Sequence, residues 1–176
     1  AWLKRLPAED HRVLDLCAGT GCVGLGIAGL CPDAVVTAVE LSPEAFVYLE
    51  ENCRRYPERR VTPVRADMLA DAGKIPGSFA ALVSNPPYIP SADLSGLMRE
   101  VQYEPRMALD GGDGLRFYRA IARDWLPKVC AGGLCAVEVG IGQAEEVAAL
   151  FVQSGLHAVQ VYPDAAGIDR VVAGEK

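Results

Sequence analysis

The sequence contains no apolar run approaching the roughly 18 residues that a membrane-spanning helix requires. Nor do its first residues show a basic segment followed by an apolar one, so no secretory leader is expected, and the protein is expected to be soluble and cytoplasmic. Histidine is scarce: His11 and His157 are the two present, and neither is matched by a serine or cysteine nucleophile. The six cysteines form no C-x-x-C pair, and four lie in apolar runs, where a free thiol behaves as a small hydrophobe. Reduced cysteines are therefore expected, with no metal or disulfide site. Positive charge is in deficit: 17 Lys and Arg against 23 Asp and Glu give a net charge of −6. A field of that sign repels phosphate backbones, so direct nucleic-acid binding is not expected. Internal repeats and low-complexity tracts are also missing.

What remains is 176 residues, 51% of them hydrophobic, enough for one core and one domain spanning 1–176. Short apolar runs alternate with helix-length segments. Arg12 to Leu16, Val35 to Val39, Val61 to Arg65 and Ala80 to Ser84 read as strands, followed by Leu134 to Val139, Ala158 to Tyr162 and Arg170 to Ala173. Helices are expected up to Cys31, from Pro43 to about Tyr56, from Leu115 to Val129 closed by Ala131-Gly132-Gly133, and over about Gln143 to Ser154. Ser42 is placed to cap the second of these, with Pro43 at its first position and Glu44 in its first turn. Mostly uninterrupted apolar strands indicate a parallel sheet covered on both faces. Pro163 to Asp169 is too short for a helical crossover, so the last two strands should form an antiparallel hairpin. The expected fold is therefore α/β and Rossmann-like: seven strands, mostly parallel with one antiparallel, and helices on both faces.

A glycine turn directly after the first strand, Asp15-Leu16-Cys17-Ala18-Gly19-Thr20-Gly21, lets backbone approach a ligand at a helix N-terminus. Glu40, 19 residues beyond Gly21 at the end of the second strand, can accept both ribose hydroxyls of a nucleoside; Leu41 follows it. The G-x-G turn is preceded by an acid, and Asp15 would repel phosphates while suiting the α-amino end of a methionine. This favours S-adenosylmethionine over NAD. Asp67 stands where an adenine amino group could donate to it, or it caps an ordinary loop, and Met68 can line the adenine slot.

Asn85-Pro86-Pro87-Tyr88 follows the fourth strand, at the sheet edge where open α/β folds bind ligands. Two prolines restrict their own φ and the residue before each, which fixes where the carbonyls point. The Asn85 side-chain oxygen and the Pro86 carbonyl can then accept from one NH2 group, and Tyr88 can flank it as a flat wall. Together they select a planar nitrogen, amide or amine, for direct attack on an activated methyl, a reaction that depends mainly on positioning. Trp2 and Trp125 read as packing anchors, and Glu104 with Arg106 as a buried pair pinning the segment after the tetrapeptide.

These residues resemble the HemK/PrmC protein-(glutamine-N5) methyltransferases over nearly the whole chain. The likeness lies in the loop Asp15 to Gly21, Glu40 before Ser42-Pro43, the run Ser84 to Pro90, the stretch Tyr103 to Tyr118, and the ending Gly167 to Val172. The resemblance implies that Cys17 to Gly21, Glu40, Asp67 and Met68 contact S-adenosylmethionine, leaving S-adenosylhomocysteine as product. It also implies that Asn85 to Tyr88 hold the glutamine amide of the Gly-Gly-Gln tripeptide in peptide chain release factors, the expected partners. An N6-adenine or N2-guanine nucleic-acid methyltransferase is the alternative, because the tetrapeptide alone suits both. Two departures stand out: Cys17 and Ala18 replace a glycine and a small polar residue, and the family's N-terminal helical domain, with the segment following it, is missing. The opening Ala1-Trp2-Leu3 accordingly reads as the tail of a longer element.

Overall fold

The computed structural model describes Leu3 and residues 11–176. The expectation for Trp2 lies outside the described residues. Seven strands form one sheet: β1 (Arg12–Leu16), β2 (Val35–Glu40), β3 (Val61–Arg65), β4 (Phe79–Ser84), β5 (Val129–Glu138), β6 (His157–Pro163) and β7 (Asp169–Glu175). Their order is β3-β2-β1-β4-β5-β7-β6, and β7 runs antiparallel to both neighbours while every other pair is parallel. The sheet class and the closing hairpin are as read from the sequence. Strand order reverses between β1 and β4, which opens a crevice at the carboxyl ends of those strands.

Alternating β1 side chains supply both faces. Val13 packs with Val36, Ala28 and Cys31 against helix α1 (Cys22–Leu30), whereas Leu14 and Leu16 join the larger cluster on the other face. Tyr118, Ile121, Trp125 and Phe151 complete that cluster, all with no exposed surface, from α4 (Arg116–Ala120), the turn after it, and α5 (Ala144–Gln153). Helix α2 (Pro43–Arg55) buries Leu49 against Ala38, and it begins as expected: the Ser42 hydroxyl accepts from the Ala45 N–H at 3.2 Å with Pro43 in the first turn.

Two expectations need correction. The helix drawn over Leu115 to Val129 is one short α-helix, then a π-turn (Ile121–Trp125) and a 3₁₀ turn (Leu126–Lys128). Pro127 has no N–H to continue an α-ladder, so the segment tightens and ends there. Ala131-Gly132-Gly133 lies within β5 and closes no helix. Pairing with β4 slips between Val129 and Leu134, and a Cβ on Gly133 would sit 2.9 Å from the Ala80 carbonyl oxygen, so glycine permits the irregular stretch to stay close to β4. Among the described residues no helix is long and apolar enough to cross a membrane.

Candidate active site

A cavity of about 800 Å³ occupies the crevice between β1 and β4. One wall comes from the ends of β1, β2 and β3 and includes Cys17, Ala18, Gly19, Glu40, Leu41, Asp67 and Met68. The opposite wall comes from the end of β4 and the segment beyond it, with Asn85, Pro86, Pro87 and Tyr88, the one-turn helix α3 (Arg106–Leu109), and Arg116 and Phe117 of α4. Eleven of the fourteen sequence-predicted residues therefore meet around one space; Asp15, Thr20 and Gly21 do not line it.

Glu40 is held in place by backbone. Its Oε2 accepts from the Gly19 N–H at 2.8 Å and its Oε1 from the Ser42 N–H at 2.7 Å, while the Ala18 N–H bonds to the Val39 carbonyl at 2.9 Å. Gly19 has φ +57, and a Cβ there would meet nothing within 4 Å, so open space lies over the turn. Cys17 also adopts a left-handed φ of 56, at a cost of about 1–2 kcal/mol for a side chain. Its Sγ lies 3.4 Å from the Met68 Sδ, and burial beside the Glu40 carboxylate pushes the thiol above its ordinary range, so it stays neutral. Met68 is fixed from behind by the Trp125 indole N–H, which donates to its carbonyl at 2.8 Å.

Asp15 does not face the cavity. It is 1% exposed, and its Oδ2 accepts from the Gly24 N–H at 2.8 Å, tying β1 to the first turn of α1. Burial pushes its carboxyl up to about 7, opposed by the Gly24 bond and reinforced by the charge on Glu40. The residue supports the loop from beneath. Gly21 is the N-cap of α1, and the Thr20 carbonyl accepts from Asn52 at 2.9 Å. Asp67 caps its own loop, accepting from the Leu69 N–H at 2.8 Å while lining the cavity.

On the opposite wall the buried Ser84 hydroxyl donates to the Leu16 carbonyl at 2.8 Å, joining the ends of β4 and β1 just before the tetrapeptide. Pro86 and Pro87 are buried, whereas Asn85 is exposed, and no hydrogen bond to another described residue holds its amide. Tyr88 lies half-buried with its hydroxyl 3.4 Å from Glu138 Oε1; burial, with that carboxylate, raises its phenol above the ordinary value. The expected Glu104–Arg106 pair does not form: both are exposed at the cavity rim, and Arg106 bonds Asp110 at 3.0 Å, its neighbour one helical turn on. Residues to which the sequence reading gave no site role are Tyr118 of α4, Glu138 at the end of β5 and Gln143 before α5, which gather behind Tyr88. The Gly140-Ile141-Gly142-Gln143 loop directly after a strand was the available signal.

The family model for the methyltransferase small domain matches residues 1–109. The release factor glutamine methyltransferase of Geobacter sulfurreducens is 44% identical over 98% of this chain and 60% of its own length. The chain thus spans about three fifths of the length of the curated relatives it matches. Among solved structures, the release factor-specific protein-(glutamine-N5) methyltransferase of Alicyclobacillus acidocaldarius is 33% identical, with a TM-score of 0.60 covering 99% of this chain and 85% of that one. A methyltransferase from Pyrococcus furiosus, 19% identical, shares the fold with a TM-score of 0.72 over 99% of this chain and 79% of its own.

Proposed function

Since the chain belongs to the methyltransferase small domain family and to the protein-(glutamine-N5) methyltransferases, we propose that it methylates the side-chain amide nitrogen of the Gly-Gly-Gln glutamine in peptide chain release factors, in the cytoplasm, using S-adenosylmethionine. The observation that carries this reading is the placement of Asn85-Pro86-Pro87-Tyr88 across one cavity from Gly19 and Glu40. We take residues 1–176 as one methyltransferase domain.

The donor set fits the cofactor. Backbone N–H groups fix both Glu40 oxygens and leave each a further lone pair, as a pair of vicinal ribose hydroxyls requires. The empty space over Gly19 admits the methionine end, and Met68 with Leu41 offers apolar cover for a purine. When bound, S-adenosylmethionine supplies a methyl group on a positively charged sulfur and leaves as S-adenosylhomocysteine.

The chain's own contribution is positioning. Asn85 Oδ1 and the Pro86 carbonyl accept the two N–H bonds of the glutamine amide and hold its nitrogen toward the cofactor wall. Those bonds oppose rotation of the amide and favour the electron pair leaving conjugation as the new N–C bond forms. The electron pair of the cofactor's methyl–sulfur bond would stay with sulfur, and the proton lost from nitrogen leaves on the Asn85 side toward solvent. Near-attack alignment of this kind is worth about 7–11 kcal/mol.

Nucleic acid as acceptor is disfavoured by the net charge of −6 and by the named relatives. Incubating the chain with radiolabelled S-adenosylmethionine and either a release factor or RNA and DNA tests the choice. We expect one methyl on the Gly-Gly-Gln glutamine by mass spectrometry. Label on nucleic acid and none on the release factor would overturn the reading.

A further inference from the structure

Behind the tetrapeptide, the side-chain amide of Gln143 is hydrogen-bonded at three of its four positions, the Tyr118 hydroxyl donating its one proton to the Glu138 carbonyl at 3.0 Å. Nε2 donates to the Tyr88 carbonyl at 2.9 Å and to the Gly114 carbonyl at 3.3 Å, while Oε1 accepts from the Gly140 N–H at 2.9 Å and faces the Tyr118 hydroxyl at 3.5 Å. These partners fix the orientation of the amide, because flipping it would set donors against donors and oxygen against oxygen. They come from four segments: the end of the tetrapeptide, the loop before α4, α4 itself and the end of β5. Two glycines make the slot. A Cβ on Gly114 would stand 2.8 Å from Gln143 Nε2, and one on Gly140 would stand 2.8 Å from Oε1 and 3.0 Å from the Tyr88 ring.

From this we propose that Gln143 is a positioning residue for methyl transfer, a clamp on the Tyr88 peptide that sets the height and tilt of the acceptor wall. Asn85 and Pro86 belong to the same rigid four-residue run, in which two prolines leave little freedom between the anchored Ser84 and Tyr88. Releasing one end therefore moves the acceptor oxygens relative to the cofactor wall. Cofactor contacts are unaffected, because Gln143 does not line the cavity. The role in catalysis rests on the proposed methyl transfer; the clamp itself does not.

Gln143→Met keeps length and volume but removes every hydrogen bond. Two amides report on the acceptor segment: Ile89 N–H, bonded to the Leu109 carbonyl, and Gly111 N–H, bonded to the Ile89 carbonyl; Val36 N–H, bonded to the Arg60 carbonyl, is the control. In Gln143→Met, exchange at Ile89 and Gly111 should accelerate at least about tenfold with Val36 unchanged, about 1.4 kcal/mol of lost protection. On a release factor, kcat should fall about 10- to 100-fold with cofactor Kd within twofold, the range a displacement of about 1 Å produces. Gln143→Glu should recover part of that kcat as pH falls, because only a protonated carboxyl can donate to the Tyr88 carbonyl. Unchanged exchange at Ile89 and Gly111 overturns the clamp whatever the substrate is. Accelerated exchange with unchanged kcat overturns the positioning role, as does equal acceleration at Val36, which marks general destabilisation. Failure of the unsubstituted chain to methylate any Gly-Gly-Gln protein would instead overturn the substrate reading and leave the exchange result standing.

Discussion

The two walls of the cavity are built differently. On the β1–β3 wall nearly every polar group is fixed by backbone before any ligand arrives: Asp15 by Gly24, Glu40 by Gly19 and Ser42, Asp67 by Leu69. The wall beyond β4 carries an unheld Asn85 amide and an exposed rim that includes Glu104, Arg106 and Met107. Its segment closes on itself through Ile89 to Leu109 and Gly111 to Ile89, and few bonds tie it to the rest of the fold, chiefly the Gln143 amide and the Tyr88 hydroxyl at Glu138. A small cofactor of fixed shape suits a preorganised wall, because no ordering cost is left to meet on binding. A protein loop as acceptor would suit a wall whose rim can adjust, since a methionine side chain adapts to a partner surface.

If the walls divide the work in this way, Asn85→Ala should cut kcat by about 10²–10³-fold, the range seen when one group aligned with a reacting centre is removed. Cofactor Kd by calorimetry should stay within twofold. A comparable loss of cofactor affinity would show that the walls are not separable. Glu40→Ala should do the opposite and weaken cofactor binding about 10- to 100-fold, since charged hydrogen bonds contribute about 1.5–3 kcal/mol. It also frees the Gly19 and Ser42 N–H groups, so thermal stability should fall without cofactor.

Asp15 tests how far the preorganised wall depends on pH. Its folded-state pKa of about 7 lies above the ordinary 3.8. The stability contributed by its neutral form is thus complete below about 4 and lost as pH rises through about 7. Between pH 5 and 8 the chain should lose about 2 kcal/mol from this group, read as a falling urea midpoint. Asp15→Asn keeps an acceptor for the Gly24 N–H without ionising, so its midpoint should vary less with pH. Equal pH dependence in the two proteins would show that Asp15 is not the group responsible.

Much of the first wall was legible in the sequence because its determinants are local. Strand, glycine turn and helix follow within twenty residues, and Ser42-Pro43-Glu44 is a self-contained helix start. The second wall was legible only at its tetrapeptide. Which partner Arg106 takes is settled by the one-turn helix it begins, so Asp110, four residues on, replaces Glu104. Asp15 was misplaced for a related reason: composition suggests a cation-binding acid, but alternation along β1 turns its side chain under α1. Gln143 acts on Tyr88, 55 residues away, through a backbone carbonyl that leaves no mark on residue type.

Cys17 sharpens the comparison at its finest scale. Its φ of 56 suits glycine, so Cys17→Gly should relieve about 1 kcal/mol of backbone strain. Against that stand the lost contact with the Met68 sulfur, 3.4 Å away, and the larger entropy a glycine loses on folding, about 0.5–1 kcal/mol. The net change in stability should then be less than about 1 kcal/mol in either direction. Cys17→Val separates the terms: it keeps apolar bulk but puts a β-branched side chain where positive φ is least tolerated, so it should destabilise by more than about 1 kcal/mol. Both are read from urea midpoints. If Cys17→Gly is as damaging as Cys17→Val, the sulfur contact outweighs the strain, and this wall is held by its side chains as well as by its backbone bonds.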